Sequence, residues 1–195
     1  MSAPPRIIFL VMPSRPGPPP RPRLRPETLR YCAMCGGPLA RQPVSSDQKE
    51  QMVCGVCDFV FYLNPKLVAA TLPIIDGRLL LIRRAIEPSL GKWTFPGGFV
   101  EWGEPVEHAA IRETREEVNI EVALDGVHGV YSYVNEPIAI VVYRARLVNG
   151  HPSAGSEVQE IRFVTAEEIP WSDLAFPSTF DALRDWVHLE RGVLR

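Results

Sequence analysis

Apolar residues from Leu67 onward fall into short runs that are separated by turn signals. The first run, Leu67–Ile75, is nearly continuous and ends at Asp76-Gly77, a dipeptide that favours a tight hairpin. The strands predicted from these runs cover residues 67–75, 78–84, 127–134, 138–148 and 161–164. The pattern therefore predicts a sheet in which at least two pairs of strands are joined by short connections.

Two segments have a helical period instead. Near the end of the chain, residues 178–189 have an apolar face, and its members are Phe180, Leu183, Trp186 and Val187. A second helix is predicted to begin at Pro105 and to end at Asn119, which tolerates a left-handed C-cap. Its small-residue stripe suits close packing on a sheet, and it consists of Val106, Ala109, Ala110 and Thr114. Helices on both sides of a sheet predict an α/β/α sandwich.

Three carboxylates lie on one face of the helix predicted for residues 105–118. Glu113, Glu116 and Glu117 have the offsets i, i+3 and i+4, which stack side chains on a single side. Three like charges so close repel each other, although most charge runs are simply solvated helix faces. The turn at Gly97-Gly98 and the fixed spacing favour a bound cation here, and oxygen ligands suit Mg²⁺ or Mn²⁺.

The stretch from Gly97 to Ile120, GGFVEWGEPVEHAAIRETREEVNI, resembles the Nudix box. This family hydrolyses a nucleoside diphosphate linked to another moiety, and its box has many fixed positions. There are two departures from the usual pattern. Thr114 replaces an aliphatic residue and Asn119 replaces a glycine, but neither change removes a metal ligand. The resemblance implies an α/β fold of the Nudix type with a mixed sheet, and an active enzyme.

The resemblance also implies a role for each residue of the box. Glu116 and Glu117 are expected to bind the catalytic metal, and Glu113 to bind the metal or to act as base for the attacking water. The carbonyl of Gly97 is expected to complete the coordination. Arg112 is expected to pair with a box carboxylate and to orient it.

Three further acidic positions have weaker support. Charge balance calls for one more acid outside the box, and Glu157 is the candidate, with Glu160 as second choice; either is equally consistent with an ordinary exposed glutamate. Glu104 is expected to have a structural role.

The four cysteines of the chain form two C-x2-C pairs, Cys32/Cys35 and Cys54/Cys57. This spacing predicts a structural zinc ribbon with four thiolate ligands. Disulfides are an alternative, but no convincing secretion signal accompanies them. A redox C-x-x-C is a second alternative, which two copies at this spacing disfavour. The segment between the pairs lacks aromatic residues, so it offers no platform for stacking bases.

Charge is distributed unevenly along the chain. The net charge is -2, but residues 1–30 hold six Arg and one Glu, so the remainder is acidic. An acidic body argues against general nucleic-acid binding, and the longest apolar run of the first 30 residues, 7–12, is too short to span a membrane. The first 30 residues also hold nine Pro, which predicts a disordered leader over residues 1–29.

These observations predict three parts: the leader at 1–29, a zinc ribbon at 30–63 and a Nudix hydrolase domain at 64–195. We expect a cytoplasmic protein. Organelle targeting by the leader stays open, and so does an over-extended gene start. By analogy with the family, the ribbon packs on the catalytic domain or helps two copies form a homodimer.

Substrate choice depends on residues outside the box. The order of ribbon, FYLNPK, box and IPWSDLAFPSTFDAL resembles the ADP-ribose and FAD pyrophosphatases that have a zinc ribbon. Hydrolysis of ADP-ribose or FAD with release of AMP is therefore the first expectation. An NADH or NAD-capped-RNA pyrophosphatase is an alternative, although no SQP-type motif follows the box. A non-catalytic nucleotide-binding regulator is another, which the intact carboxylates disfavour. The aromatic candidates for stacking on the substrate are Trp93, Phe95, Trp102, Tyr131 and Phe176.

Overall fold

Every strand predicted from an apolar run is present, and most are longer than the run that predicts them. The computed structural model describes residues 28–44 and 49–192, so all but the last two residues of the predicted leader lie outside the described part. The chain divides after Leu63 into two units. The first unit contains three strands: β1 (Leu39–Pro43), β2 (Glu50–Cys54) and β3 (Val60–Phe61). They form one antiparallel sheet in the order β1-β2-β3.

The second unit contains a seven-stranded mixed sheet and two α-helices. Its strands are β4 (Lys66–Ile75), β5 (Arg78–Arg84), β6 (Trp93–Thr94), β7 (Gly97–Phe99), β8 (Glu121–Ser132), β9 (Ile138–Asn149) and β10 (Val158–Val164). Its helices are α1 (Val106–Val118) and α2 (Pro177–Glu190), with a short 3₁₀ turn at Trp171–Asp173 before α2. The sequence pattern missed the strands of the first unit and the short β6 and β7.

The predicted hairpin at Asp76-Gly77 is confirmed, and it shapes the sheet. Both residues have positive φ, as the tightest hairpin turns require. β4 and β5 pair only next to this turn, at Ile74–Leu79 and Ile75–Arg78. Farther from the turn β5 pairs with β6 and β4 pairs with β7. The two strands therefore separate, and the segment that contains β6 and β7 lies in the gap between them; Gly97 and Gly98 thus belong to a strand rather than to the predicted turn.

The main path of the sheet is β10-β5-β4-β9-β8, and β4 and β9 are parallel. Alternate residues of β5 divide the core into two layers, as strand geometry requires. Leu79 and Leu81 pack in a cluster that includes α2, whereas Leu80 and Ile82 pack in a cluster that includes Val118 of α1. The helices thus cover opposite faces of the sheet, which confirms the predicted α/β/α sandwich.

Candidate active site

Helix α1 carries the box, and its small residues bring it close to the sheet. The predicted stripe does pack: Ala109 and Ala110 are fully buried in a cluster with Ala69 of β4. The helix begins one residue later than predicted, because Pro105 is extended and only its carbonyl accepts the first helical hydrogen bond, from Ala109.

Thr114, the first departure from the box pattern, is fully buried and fully bonded. Its hydroxyl donates to the carbonyl of Ala110 (2.7 Å) and lies 2.7 Å from the hydroxyl of Thr71 on β4. Thr71 is the hydrogen-bond partner of Thr114, and the sequence pattern did not predict it. A buried hydroxyl must be hydrogen-bonded to avoid a desolvation cost, and this pair supplies the bond while fastening α1 to β4.

Asn119, the second departure, confirms the predicted C-cap. It has φ 56° and ψ 33°, and its backbone N–H donates to Arg115. The chain after β9 then returns to the same helix end: Ser153 donates to the carbonyl of Val118, and Gly155 to that of Glu117. A Cβ at Gly155 would overlap the carbonyl of Glu116, so this close approach requires glycine.

Glu117 is the most buried of the three box carboxylates, with 8% of its surface exposed. Its Oε2 accepts a hydrogen bond of 2.8 Å from the backbone N–H of Gly97. Burial raises the pKa of this carboxyl to about 8, while the N–H of Gly97 opposes the shift and the charge of Glu113 adds to it. The ionised form of Glu117 is therefore poorly stabilised. A cation bound beside it would stabilise the ionised form.

Glu113 lies against Gly98, the second glycine of β7. A Cβ on Gly98 would meet the Glu113 carboxylate at the end of its flexible side chain, so glycine leaves room for that carboxylate beside the strand. Burial raises the pKa of Glu113, whereas the guanidinium of Arg112 lowers it. The carboxylates of Glu113 and Glu117 therefore both lie at Gly97 and Gly98, on one side of α1, as the spacing predicted.

Arg112 connects four acceptors around the box. Its Nε and Nη2 bind the two oxygens of Glu104 (2.8 and 2.9 Å), and its Nη1 binds Glu113 (2.8 Å) and Glu116 (3.3 Å). Nη2 also donates to the carbonyl of Phe99 (3.1 Å). The predicted pairing of Arg112 with a box carboxylate is thus present. Glu104 has the structural role expected of it, because it fixes the guanidinium that orients Glu113.

The two candidate acids outside the box, Glu157 and Glu160, have different surroundings. The charge of Glu157 raises the pKa of both Glu113 and Glu117, so its side chain lies within electrostatic reach of the cluster. Glu160 instead pairs with Arg83 and Arg162 on the α2 side of the sheet. A β-bulge between Val158 and Glu160 changes the face to which the later residues point.

Gly97 has a backbone position that suits its predicted role. The N–H of Thr71 donates to the carbonyl of Pro96, and the N–H of Val100 donates to that of Leu67. In this antiparallel pairing Ala70 and Gly97 therefore lie opposite each other without hydrogen bonds between them. In an extended strand the N–H and the carbonyl of one residue point to the same side. Because the N–H of Gly97 points to Glu117, its carbonyl faces the box as well.

The aromatic candidates have different environments. Trp93 and Phe95 are buried in the core with α2, so they pack rather than stack on a ligand. Trp102 is fully exposed. Tyr131 is half-buried and donates to Asp185 of α2. Phe176 is half-buried, and its ring lies under the guanidinium of Arg84. Arg84 is not among the site residues predicted from the sequence.

The four cysteines converge at a second site in the first unit. Their sulfur atoms all lie within 4.8 Å of one another, with Cys32–Cys57 at 3.8 Å and Cys35–Cys54 at 3.5 Å. A tetrahedral zinc with Zn–S bonds of about 2.3 Å has sulfur–sulfur edges of about 3.8 Å, so the group fits zinc. All four thiols are free, which argues against the disulfide alternative.

Backbone N–H groups surround these sulfur atoms. Met34 donates to Cys32, Gly37 to Cys35 and Val56 to Cys54, at 3.3 to 3.4 Å. Hydrogen bonds from the backbone lower the pKa of the Cys54 thiol to about 7, which favours the thiolate that binds metal. Within residues 28–44 and 49–192, no other cluster of three or more Cys, His, Asp or Glu is so close, and the carboxylates of α1 are more widely spaced.

Comparisons with known proteins agree with this geometry. The NUDIX domain model matches residues 65–186, and the Nudix N-terminal zinc-ribbon model matches residues 30–63. The chain therefore belongs to the Nudix family, and it is a pyrophosphate hydrolase of that family, whose enzymes act on nucleotide diphosphate substrates. Neither α1, α2 nor any other helix in the described part is long and apolar enough to cross a membrane.

Individual relatives differ in the activity that their names give. An ADP-ribose pyrophosphatase from Methanocaldococcus jannaschii is 30% identical over 135 residues, which cover 67% of this chain and 78% of the relative. An NAD-capped RNA hydrolase NudC from Pseudomonas aeruginosa is 27% identical over 72% of this chain, but only 49% of that relative is covered. The crystal structure of a NUDIX hydrolase from Nitrosomonas europaea is 34% identical, covers 84% of this chain and 94% of its own, and has a TM-score of 0.76.

Proposed function

We propose that this protein hydrolyses ADP-ribose or FAD within the pyrophosphate, releasing AMP. The observation that supports this most is the arrangement of Glu113 and Glu117 against Gly97 and Gly98 of β7, with Glu113 held by Arg112 and Glu117 by the N–H of Gly97. ADP-ribose is favoured because the archaeal relative with that activity in its name is matched over most of its own length.

The donor set fits a hard divalent cation. Its members are the carboxylates of Glu113, Glu116 and Glu117 and the carbonyl of Gly97, all oxygen ligands of the kind that Mg²⁺ and Mn²⁺ prefer. When bound, such a cation supplies positive charge against the phosphate oxygens and makes the attacking water more acidic. The family uses a divalent metal, and we propose Mg²⁺ or Mn²⁺ for this chain. For the four-cysteine cluster we propose a structural zinc, which leaves no open coordination position.

The chain's own residues have separate tasks in this proposal. Glu113 is held in place by Arg112 beside the other box carboxylates, so its proposed task is to bind the cation or to accept the proton of the attacking water. Glu157 adds negative charge at the same cluster and is the proposed fourth acid. All four cysteines of the chain lie in the zinc cluster, so none of them is left to form a covalent intermediate. Water is therefore the proposed nucleophile.

The second candidate is hydrolysis of NADH or of NAD-capped RNA. The NudC relatives favour it, although this chain spans about half or less of several of them. The predicted homodimer, the cytoplasmic location and the lack of general nucleic-acid binding remain predictions of the sequence.

A substrate panel tests the proposal. ADP-ribose, FAD, NADH and an NAD-capped RNA are each incubated with the protein and Mg²⁺, and AMP release is measured by chromatography. We expect ADP-ribose or FAD to have the highest kcat/KM, with one ¹⁸O from labelled water in one phosphate product. A higher kcat/KM for NADH or capped RNA would contradict the substrate assignment, and a trapped phosphoryl- or nucleotidyl-enzyme would contradict attack by water.

A further inference from the structure

Arg84, the last residue of β5, lies on the same face of the sheet as the box helix. Along β5, Leu80 and Ile82 pack in the cluster that contains α1, and strand alternation places Arg84 on that same face. Arg83 belongs to the opposite face, where its guanidinium lies 3.7 Å from Glu160. Two adjacent arginines therefore have different surroundings, and only Arg84 is turned toward the carboxylates.

Three contacts hold Arg84 in place. Its backbone N–H donates to Lys92 (2.9 Å), and its side-chain Nε donates to the carbonyl of Pro88 (2.9 Å). Its guanidinium carbon lies 5.2 Å from the ring centroid of Phe176, within the range of a cation–π contact. The hydrogen bond uses Nε, so it leaves both Nη groups at the end of the guanidinium for other acceptors.

Phe176 is itself fixed by the segment that precedes α2. Ala175 donates to the carbonyl of Trp93 (2.8 Å) and accepts from the hydroxyl of Ser89 (3.0 Å). Two residues earlier, Asp173 forms an ion pair of 2.6 Å with Lys92. The ring under Arg84 is therefore held by both ends of the loop that leads from β5 to β6, and this contact restricts the guanidinium before any ligand binds.

The charge of Arg84 acts on the carboxylate cluster of α1, but it is not neutralised by a carboxylate in direct contact. It is among the groups that lower the pKa of Glu117, so it lies within electrostatic reach of the innermost box carboxyl. Yet in the described part of the chain no carboxylate oxygen lies within 4 Å of its guanidinium, whereas Arg83, Arg112 and Arg162 all have such partners. A cation beside the proposed metal ligands, without its own counterion, is suited to bind an anion.

We propose that Arg84 binds the pyrophosphate oxygens of the substrate beside the carboxylate cluster, and that Phe176 positions its guanidinium. The planar fork of arginine matches phosphate oxygens, and a guanidinium that is already oriented loses less entropy on binding. This proposal rests on the proposed function and extends it, because it assigns binding of the substrate's pyrophosphate to a residue outside the Nudix box.

Magnesium pyrophosphate is the probe that separates this proposal from the choice of substrate. Its binding to the full-length protein is measured by calorimetry for wild type, Arg84→Gln, Arg84→Lys and the matched control Arg83→Gln. We expect Arg84→Gln to weaken binding by about 10- to 100-fold, the range of one hydrogen bond to a charged group. Arg84→Lys should recover part of the loss, and Arg83→Gln should stay within about 2-fold.

Kinetics with the best substrate of the panel provide the second measurement. Arg84→Gln should raise KM and the inhibition constant of inorganic pyrophosphate by similar factors, and Phe176→Ala should have the same effect to a smaller extent. Equal binding of magnesium pyrophosphate by Arg84→Gln and Arg83→Gln would overturn the proposal. So would a loss confined to kcat and to the Mg²⁺ requirement, because Arg84 would then act only on Glu117.

Thermal unfolding of each variant checks that it is folded. If wild type binds magnesium pyrophosphate through Arg84 but cleaves neither ADP-ribose nor FAD, the proposed function fails and this inference stands. If wild type cleaves ADP-ribose and the Arg84 variants bind and turn over as wild type does, the inference fails alone.

Discussion

The two metal-ligand clusters of this chain are built in opposite ways. In the first unit four sulfur atoms lie within 4.8 Å of one another, and their backbone donors come from the same two short turns. In the second unit the carboxylates of Glu113, Glu116 and Glu117 are spread along α1, and Arg112 and β7 at Gly97 and Gly98 hold them. The first arrangement converges on one point, whereas the second spreads its oxygen atoms along one side of a helix.

The surroundings of the two clusters explain this difference. Among the described residues of the first unit, the buried apolar side chains are Cys32, Met52 and Cys54, and two of the three are ligands. We expect a unit with so little core to need metal to fold. The second unit has large apolar clusters on both faces of its sheet. Its fold can therefore support buried carboxylates that repel each other without help from a metal ion.

Removal of a thiolate should have the largest effect. Cys54→Ser should abolish zinc binding and unfold the first unit, because binding at a structural zinc site supplies on the order of 10 kcal/mol of folding free energy. Zinc content is measured by elemental analysis, with about one ion per chain expected in wild type. Amide hydrogen exchange reports protection within residues 30–63.

Met34→Ser is the matched control for that change. It alters an exposed side chain in the turn between Cys32 and Cys35, but it keeps the backbone N–H that donates to Cys32. Zinc content and exchange should stay as in wild type. A Cys54→Ser protein with full zinc and unchanged protection would show that the first unit does not depend on four thiolates.

Removal of a carboxylate charge should affect activity and spare the fold. Glu117→Gln keeps the shape and the acceptor for the N–H of Gly97, but it removes charge at the proposed metal site. We expect kcat to fall by about 10²- to 10³-fold, as when one electrostatic contact to the transition state is lost. The melting temperature should not decrease, because burial already penalises the charged form of this carboxyl.

Glu121→Gln is the control for Glu117→Gln, since Glu121 is exposed on β8 just beyond the helix. It should leave kcat and the melting temperature unchanged. Turnover close to wild type in Glu117→Gln would remove Glu117 from the active site. A large loss of stability would instead mean that its charge supports the fold, as the thiolates are expected to do in the first unit.

The sequence predicted the parts of both sites that depend on local spacing. The C-x2-C pairs and the i, i+3, i+4 carboxylates are each set by one turn or one helix, so their geometry follows from residue numbers alone. The contacts of Thr114 with Thr71 and of Arg84 with Phe176 join distant segments, and no local pattern marks them. Local sequence could not separate Glu157 from Glu160, because a β-bulge changes which face a residue occupies.

Removal of the Glu104 charge should have the smallest effect. Glu104 accepts two hydrogen bonds from Arg112 and one from the backbone N–H of Glu101. Arg112 is the main reason that the pKa of Glu104 falls from 4.5 to about 2. Since the folded pKa is the lower one, the ionised pair stabilises the protein above about pH 4.5, and this contribution is lost as the pH falls toward 2.

Denaturant unfolding of wild type and Glu104→Gln between pH 7 and pH 3 measures this contribution as a difference in free energy of unfolding. The variant should be less stable at neutral pH, and the difference should shrink as the pH falls below about 4.5. Because Arg112 also orients Glu113, the Mg²⁺ concentration for half-maximal activity should rise by about 10-fold. A difference that stays constant with pH would mean that Glu104 supports the helix by packing.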